Sequence, residues 1–373
     1  MSGNYFTEIE GLRFIAIFAV ALLHTHTHVT RYAKLPAEST IDPLFLQLGK
    51  GVQLFFVISG FLLGLPFASA EKEHRTRPSL LRYFERRITR LEPPYFLNIL
   101  LLYALLIAFH YGTQRQLFPH LLASLAYLHV PIYGTWSSVN PVSWSLEIEV
   151  QFYVLVPLLA LLFRIRSLVT RRSILIALIV AFAWIRMQYA SDPRVALTFL
   201  GNATFFFAGF LLADLYLWNW ARSPRPQRLW DFVALGSLPA FFFLQGWTAG
   251  LMLPFFALLL CIAAFRGIAF RWCVTRDWIA IIGGMCYTIY LFHYQVIAGA
   301  FFLTSRLGTA LSPLSYFGLQ LVLLLAFVLV FSAIWFVLIE RPCMIPRWPL
   351  RLWTHLSKRP ATPRTGSAAA VSH

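Results

Sequence analysis

Few residue types in this chain can do chemistry, and most of them sit inside long apolar stretches. Arg13 and His24 share the first stretch. Eleven residues of α-helix turn through about 1100°, within about 20° of three full turns, and rise about 16 Å. Both side chains therefore lie on one face, near opposite ends. This spacing fits a polar stripe along a cavity joining two compartments. It fits equally an arginine snorkelling to headgroups and a histidine at the opposite interface. A charged side chain inside a bilayer is costly, so those that persist are candidates for function. Glu147, Glu149 and Gln151 enter another stretch behind Trp144 and Ser145. Glu147 and Gln151 share a helical face. Glu149 lies deeper and points elsewhere, whereas interfacial water would satisfy Glu147. His293 is deep in a further stretch, where a functional role and a hydrogen-bonded packing role both fit. Arg86, Arg87 and Arg90 precede the pair Pro93-Pro94, which favours a helix start after the basic run. Guanidinium groups bind phosphates through paired hydrogen bonds, although such a run also serves simply to set topology. Of His24, His26 and His28, only the first and last share a face, and a catalytic metal usually takes three protein ligands. No metal site is expected.

The elements that position these residues are membrane helices. Apolar residues make up 59% of the 373 and charged residues 12%, a composition that belongs to a bilayer protein. Ten stretches approach the roughly 20 residues a span needs: 11–29, 50–68, 93–111, 143–163, 173–189, 198–218, 229–246, 249–266, 279–302 and 314–339. An all-α bundle of about ten transmembrane helices follows. The first stretch reads as a span and not as a removable leader, because two glutamates and no Lys or Arg precede it. With alternating connections, 23 of the 31 Lys and Arg fall on one side and five on the other. That is the positive-inside pattern, with both termini in the cytoplasm. Topology thus accounts for the net charge of +16, and no nucleic-acid partner is expected. The membrane domain covers 1–345, and the basic segment 346–373 reads as a disordered tail. The outside connection 112–142 has the makings of a lid or acceptor-binding loop, and its apolar piece Leu121–Leu128 is too short to span, reading as re-entrant or interfacial. Four cysteines without CxxC spacing argue against disulfides and thiolate metal sites.

Five pieces occur in a particular order. They are Gly11-Leu12-Arg13 with ten residues before His24; Phe55-Phe56-Val57-Ile58-Ser59-Gly60-Phe61-Leu62; Arg87 and Arg90 with the following Pro-Tyr; Trp144-Ser145-Leu146 leading to Glu149, Gln151, Phe152 and Tyr153; and Tyr287 to His293. This set resembles the membrane-bound acyltransferase-3 family. The resemblance implies transfer of an acyl group, often acetyl, from cytosolic acyl-coenzyme A to a hydroxyl of a carbohydrate, glycolipid or other acceptor at a bacterial inner membrane. It maps the family's Arg-x10-His pair onto Arg13 and His24, and its Arg-x-x-Arg onto Arg87 and Arg90. His24 is then the expected general base, acting directly or through an acyl-imidazole. Glu149 is expected to orient it, Arg13, Arg87 and Arg90 to meet the donor, and Trp144, Ser145 or His293 to support the site. No tightly bound cofactor is implied. Phe14, Val150 and Cys286 depart from the family pattern, which bears on the donor pocket and acyl size. The alternative class is a transporter or flippase for a lipid-linked or acylated glycan. No internal repeat supports it.

Overall fold

Backbone polar groups inside lipid must be satisfied within the chain, which leaves helices or closed barrels. In the computed structural model, residues 6–32, 42–345 and 348 are described, and they form helices and no strands. Lys34 and almost all of the expected tail lie outside the described residues. Among them, nine helical segments are long and apolar enough to cross a membrane. The helices that frame the argument are α1 (Thr7–Tyr32), α2 (Gly51–Lys72), α3 (Leu80–Ala108), α4 (Gln114–Leu125), α5 (His129–Tyr133), α6 (Trp144–Leu159), α7 (Leu168–Gln188), α8 (Phe199–Asp214), α9 (Leu229–Phe243), α10 (Trp247–Arg266), α11 (Asp277–Gly284), α12 (Cys286–Thr304) and α13 (Pro313–Trp335). The tenth expected span is α9, with 15 residues. Lys50 completes its end, donating from Nζ to Phe242 O at 2.8 Å and Leu244 O at 2.9 Å. These carbonyls are among those a helix C-terminus leaves unpaired.

The core lies between α2 and α8, which make the most extensive helix contact in the bundle. Phe56, Phe61, Phe206 and Phe210 are buried there. Two glycines bring the backbones together. A Cβ on Gly60 would stand 2.3 Å from Phe206 O, and one on Gly209 would stand 2.2 Å from Val57 O. Small residues at such contacts drive helix association where lipid offers no hydrophobic gain.

Two expectations about boundaries are corrected. The stretch 279–302 is not one helix, because α11 and α12 are separate, with Met285 between them. The basic run 86–90 does not precede a helix start either. α3 begins at Leu80 and continues through Pro93 and Pro94. Proline at 93 deprives the carbonyl of residue 89 of its usual donor. The Trp348 indole supplies another, donating to Thr89 O at 2.9 Å.

The five basic connections gather at one end of the bundle. Arg164 approaches Glu71 at 3.6 Å, and Arg222 pairs with Glu73. Arg266 donates to Gln227 at 3.1 Å, and Arg271 meets Glu8 at 2.8 Å. The contact of Trp348 with Thr89 brings the final connection to the same end. The first and last described residues therefore share the basic end.

The connection 112–142 goes inward, not outward. Tyr95 donates to Ser124 O at 2.8 Å, and Tyr127 donates to Glu92 at 2.7 Å. Tyr95 stands 13 residues before the end of α3, which is about 20 Å along the helix. α4 thus runs back down α3 as a re-entrant arm. Irregular backbone at that depth is tolerated because protein covers it. Val130, Val139, Asn140 and Ser143 are all buried.

Candidate active site

One face of α1 supplies the spine of a cavity. Arg13, Ile17 and Val20 line it, at the i, i+4, i+7 positions that share a helical face. His24 is the next residue on that stripe, one turn beyond the last lining position. α2 runs antiparallel and contributes Val52, Phe55, Ser59 and Leu62 from the far end toward the basic end. Arg87 and Arg90 enter from α3, Ser145 and Glu149 from α6, Cys286, Tyr287 and Tyr290 from α12, and Glu340 from a π-helical turn after α13. Such turns re-aim a side chain within an otherwise regular helix. The lining is graded, with cations at the basic end and Val20, Val52 and Phe55 at the other.

The cations differ in what already engages them. Arg13 donates to both carboxylate oxygens of Glu10, at 2.9 and 3.1 Å. Arg87 lies over the Tyr153 ring, 5.6 Å from its centroid. Arg90 has a buried Nε with no hydrogen-bond partner among the described residues. Arg86, the third member of the sequence run, is exposed and lines nothing in the cavity. Glu340 is buried and accepts from the Thr288 amide at 3.2 Å and from the Thr288 hydroxyl at 2.5 Å. A partly unpaired guanidinium in a cavity open to ligand is a ready anion site.

The first turns of α6 sort their polar groups as helical spacing predicts. Glu149 faces the cavity and accepts from Ser59 Oγ at 2.6 Å. Glu147 and Gln151 turn the other way and serve as fasteners. Glu147 does not meet interfacial water. It is fully buried and accepts from the Val130 amide of the re-entrant arm at 3.0 Å. Gln151 accepts from the Phe199 amide at 3.0 Å, satisfying the first turn of α8. Ser145 donates to the Tyr290 hydroxyl at 3.1 Å, and Tyr290 donates to Val142 O at 2.5 Å. Trp144 does not line the cavity and packs against the main core.

His24 meets His293, not Glu149. The two rings stand 5.1 Å apart between centroids at 46°, and Tyr294 sets its edge against His24 at 5.4 Å. On α12 the last cavity-lining residue is Tyr290, and His293 follows three positions on, on the same face. Two helices therefore each place an imidazole just past the apolar end of the cavity. His293 is fully buried. Its Nδ1 lies 2.9 Å from both Ile289 O and Tyr290 O, while Nε2 has no hydrogen-bond partner among the described residues. The other α1 histidines go separate ways. His26 pairs with Asp42 at 2.8 Å and stacks on Phe45, whereas His28 packs on Phe301.

Ser59 and Glu340 were assigned no role on sequence grounds. Ser59 is a single hydroxyl in an apolar helix, a weak signal. Glu340 follows directly on the expected span 314–339, and the π-helical turn carries it inward.

A family model described as an acyltransferase domain matches residues 6–341. The chain is 25% identical over 363 residues to BcsY of Komagataeibacter xylinus, whose name carries the words membrane-bound transacylase; the match covers 90% of this chain and 82% of that protein. It is 26% identical over 329 residues to the O-acetyltransferase OatA of Staphylococcus aureus, covering 79% of this chain and 51% of the relative. It is 27% identical over 173 residues to the peptidoglycan O-acetyltransferase OatA of Listeria monocytogenes, covering 43% of this chain and 25% of the relative. The chain thus spans about half or less of the length of both OatA proteins. No solved structure matches it.

Proposed function

We infer the activity from one premise: this chain belongs to the acyltransferase domain family. It moves an acyl group, acetyl by preference, from acyl-coenzyme A to a hydroxyl of a carbohydrate or glycoconjugate, across the inner membrane in which it sits. The observation that carries this reading is the graded cavity. Cations from three positions, Arg13, Arg87 and Arg90, gather at the basic end, and the α1 stripe leads from them to His24. The basic end faces the cytoplasm under the positive-inside rule, where coenzyme A thioesters are held. Phosphates engage Arg87 and Arg90, and the pantetheine arm follows Ile17 and Val20 so that the thioester carbonyl reaches the two histidines.

His24 takes the proton of the acceptor hydroxyl. The hydroxyl oxygen bonds to the carbonyl carbon, the carbon–sulfur bond breaks, and the proton passes to the departing thiolate. A positioned base contributes about 10²–10⁴-fold to rate, and alignment in the cavity supplies the rest. An apolar wall around the carbonyl keeps water from competing for the acyl group.

The test is acetyl transfer by purified protein in detergent or nanodiscs, with acetyl-coenzyme A and a peptidoglycan or polysaccharide acceptor and no ion gradient. Thiol release coupled to ester formation is expected. In the His24→Ala protein it falls by at least about 10²-fold while elution and helicity stay unchanged. Undiminished transfer by His24→Ala would overturn the base assignment. Failure of the wild-type protein to consume the donor with any glycan would favour translocation.

A further inference from the structure

We propose that His293 is the positioning residue for His24, holding that imidazole through its own Nε2 in the tautomer whose other nitrogen is free to take the acceptor proton. The inference rests on the reading of His24 as base.

A neutral imidazole has one N–H and one lone pair. Backbone carbonyls only accept, so the closeness of His293 Nδ1 to Ile289 O and Tyr290 O, 2.9 Å each, places the hydrogen on Nδ1. Nε2 then carries the lone pair. It is buried, and no group among the described residues donates to it. The imidazole beside this ring is that of His24, 5.1 Å away between centroids, with Tyr294 set edge-on against His24. Rotation about the His24 side chain turns this ring contact into an N–H···N bond.

The carboxylate that usually orients a catalytic imidazole is engaged elsewhere, because Glu149 accepts from Ser59 in the charged part of the cavity. A neutral acceptor is the cheaper choice at this depth, since it adds no charge to the bilayer interior. The helix itself fixes the tautomer of His293, so the arrangement is set before substrate arrives. As His24 takes the proton, its second N–H remains bonded to Nε2, and the imidazolium is stabilised where water is excluded.

A packing histidine and a positioning histidine respond differently to amide substitution. In His293→Gln the carboxamide reaches the depth of Nε2 and offers an accepting oxygen there. In His293→Asn it stops at the depth of Nδ1. His293→Ala and His293→Asn are expected to lower kcat for acetyl transfer by about 10²-fold, with donor KM within about twofold. His293→Gln is expected to exceed His293→Asn by at least about tenfold. The proposal is overturned if His293→Ala keeps kcat within about threefold of wild type, or if Gln and Asn give equal rates. Should His293→Ala not accumulate as folded protein, the comparison of Gln with Asn, two amides of like polarity, decides alone. Activity remaining in His24→Ala would sink the base reading itself. An inactive His24→Ala beside equal Gln and Asn variants would sink only the role of His293.

Discussion

Arg87 and Arg90 carry the same charge three positions apart on α3, yet they face different circumstances. Arg87 is half-buried and rests on the Tyr153 ring. Arg90 is turned further in, with Nε buried and unpartnered. A buried guanidinium donor without a partner is costly, and a phosphate oxygen relieves that cost with a charge-assisted bond worth roughly 1.5–3 kcal/mol. Arg90→Gln should therefore raise the KM for acetyl-coenzyme A by about 10–10²-fold with little change in kcat. Arg87→Gln should raise it less, because its cation is also stabilised by the ring and by water. Steady-state kinetics against donor concentration reads both. Equal donor KM in wild type and Arg90→Gln would remove the phosphate role. The Arg-x-x-Arg spacing was legible in the sequence, and so was the separation of Glu149 from Glu147 and Gln151, since both follow from helical periodicity. The partner of His24 was not legible. The pairing with His293 joins α1 to α12 across 268 intervening positions, and nothing local in either helix specifies it.

At the scale of elements, the site depends on how closely α2 and α8 approach, because α2 carries Ser59, Phe55 and Val52 along the cavity wall. Gly60 and Gly209 set that distance. Gly209→Ala places a methyl carbon 2.2 Å from Val57 O and 2.5 Å from Phe61 N, backbone atoms that cannot step aside as a side chain can. Overpacking of this kind costs about 1–3 kcal/mol, so the thermal midpoint of the purified protein should fall, and acetyl transfer with it, as Ser59 shifts against Glu149. Gly236→Ala is the matched control, since a Cβ there meets nothing within 4 Å. Equal midpoints for both variants would show that the α2–α8 spacing is not tight. Hydropathy located the long helices well, because a span must be apolar along its length. It missed the break between α11 and α12 and the passage of α3 through two prolines; remote groups satisfy the backbone at each, Glu340 at the Thr288 amide and Trp348 at Thr89 O. The inward course of 112–142 was open on sequence grounds for the same reason. Tyr127 and Glu92 join two segments that periodicity treats separately.

Over the whole molecule, charge distribution and the proposed transfer make the same demand, that one end see the donor and the other the acceptor. Counting Lys and Arg along the sequence assigned the basic end to the cytoplasm, although some counted charges are neutralised in the fold. Arg171 and Arg172 both pair with Asp214, at 2.5 and 2.7 Å, and Arg271 pairs with Glu8. Removing these three from the 23 leaves the asymmetry intact, at 20 Lys and Arg against five at the other end. The chain supplies its own reporter of orientation. Cys273 is exposed at the basic end, close in sequence to Arg271, whereas Cys261 and Cys343 are buried. Arg115 is exposed at the head of α4, at the opposite end. A membrane-impermeant maleimide applied to intact spheroplasts should leave Cys273 unlabelled and label Arg115→Cys in a Cys273→Ser background, with Cys273 reacting once the membrane is opened. The reverse pattern would put Arg13, Arg87 and Arg90 on the side without acyl-coenzyme A, and the cavity would then run the wrong way for a cytosolic donor. The labelling therefore tests the direction of transfer separately from the chemistry, since either histidine can be essential whichever way the bundle is inserted.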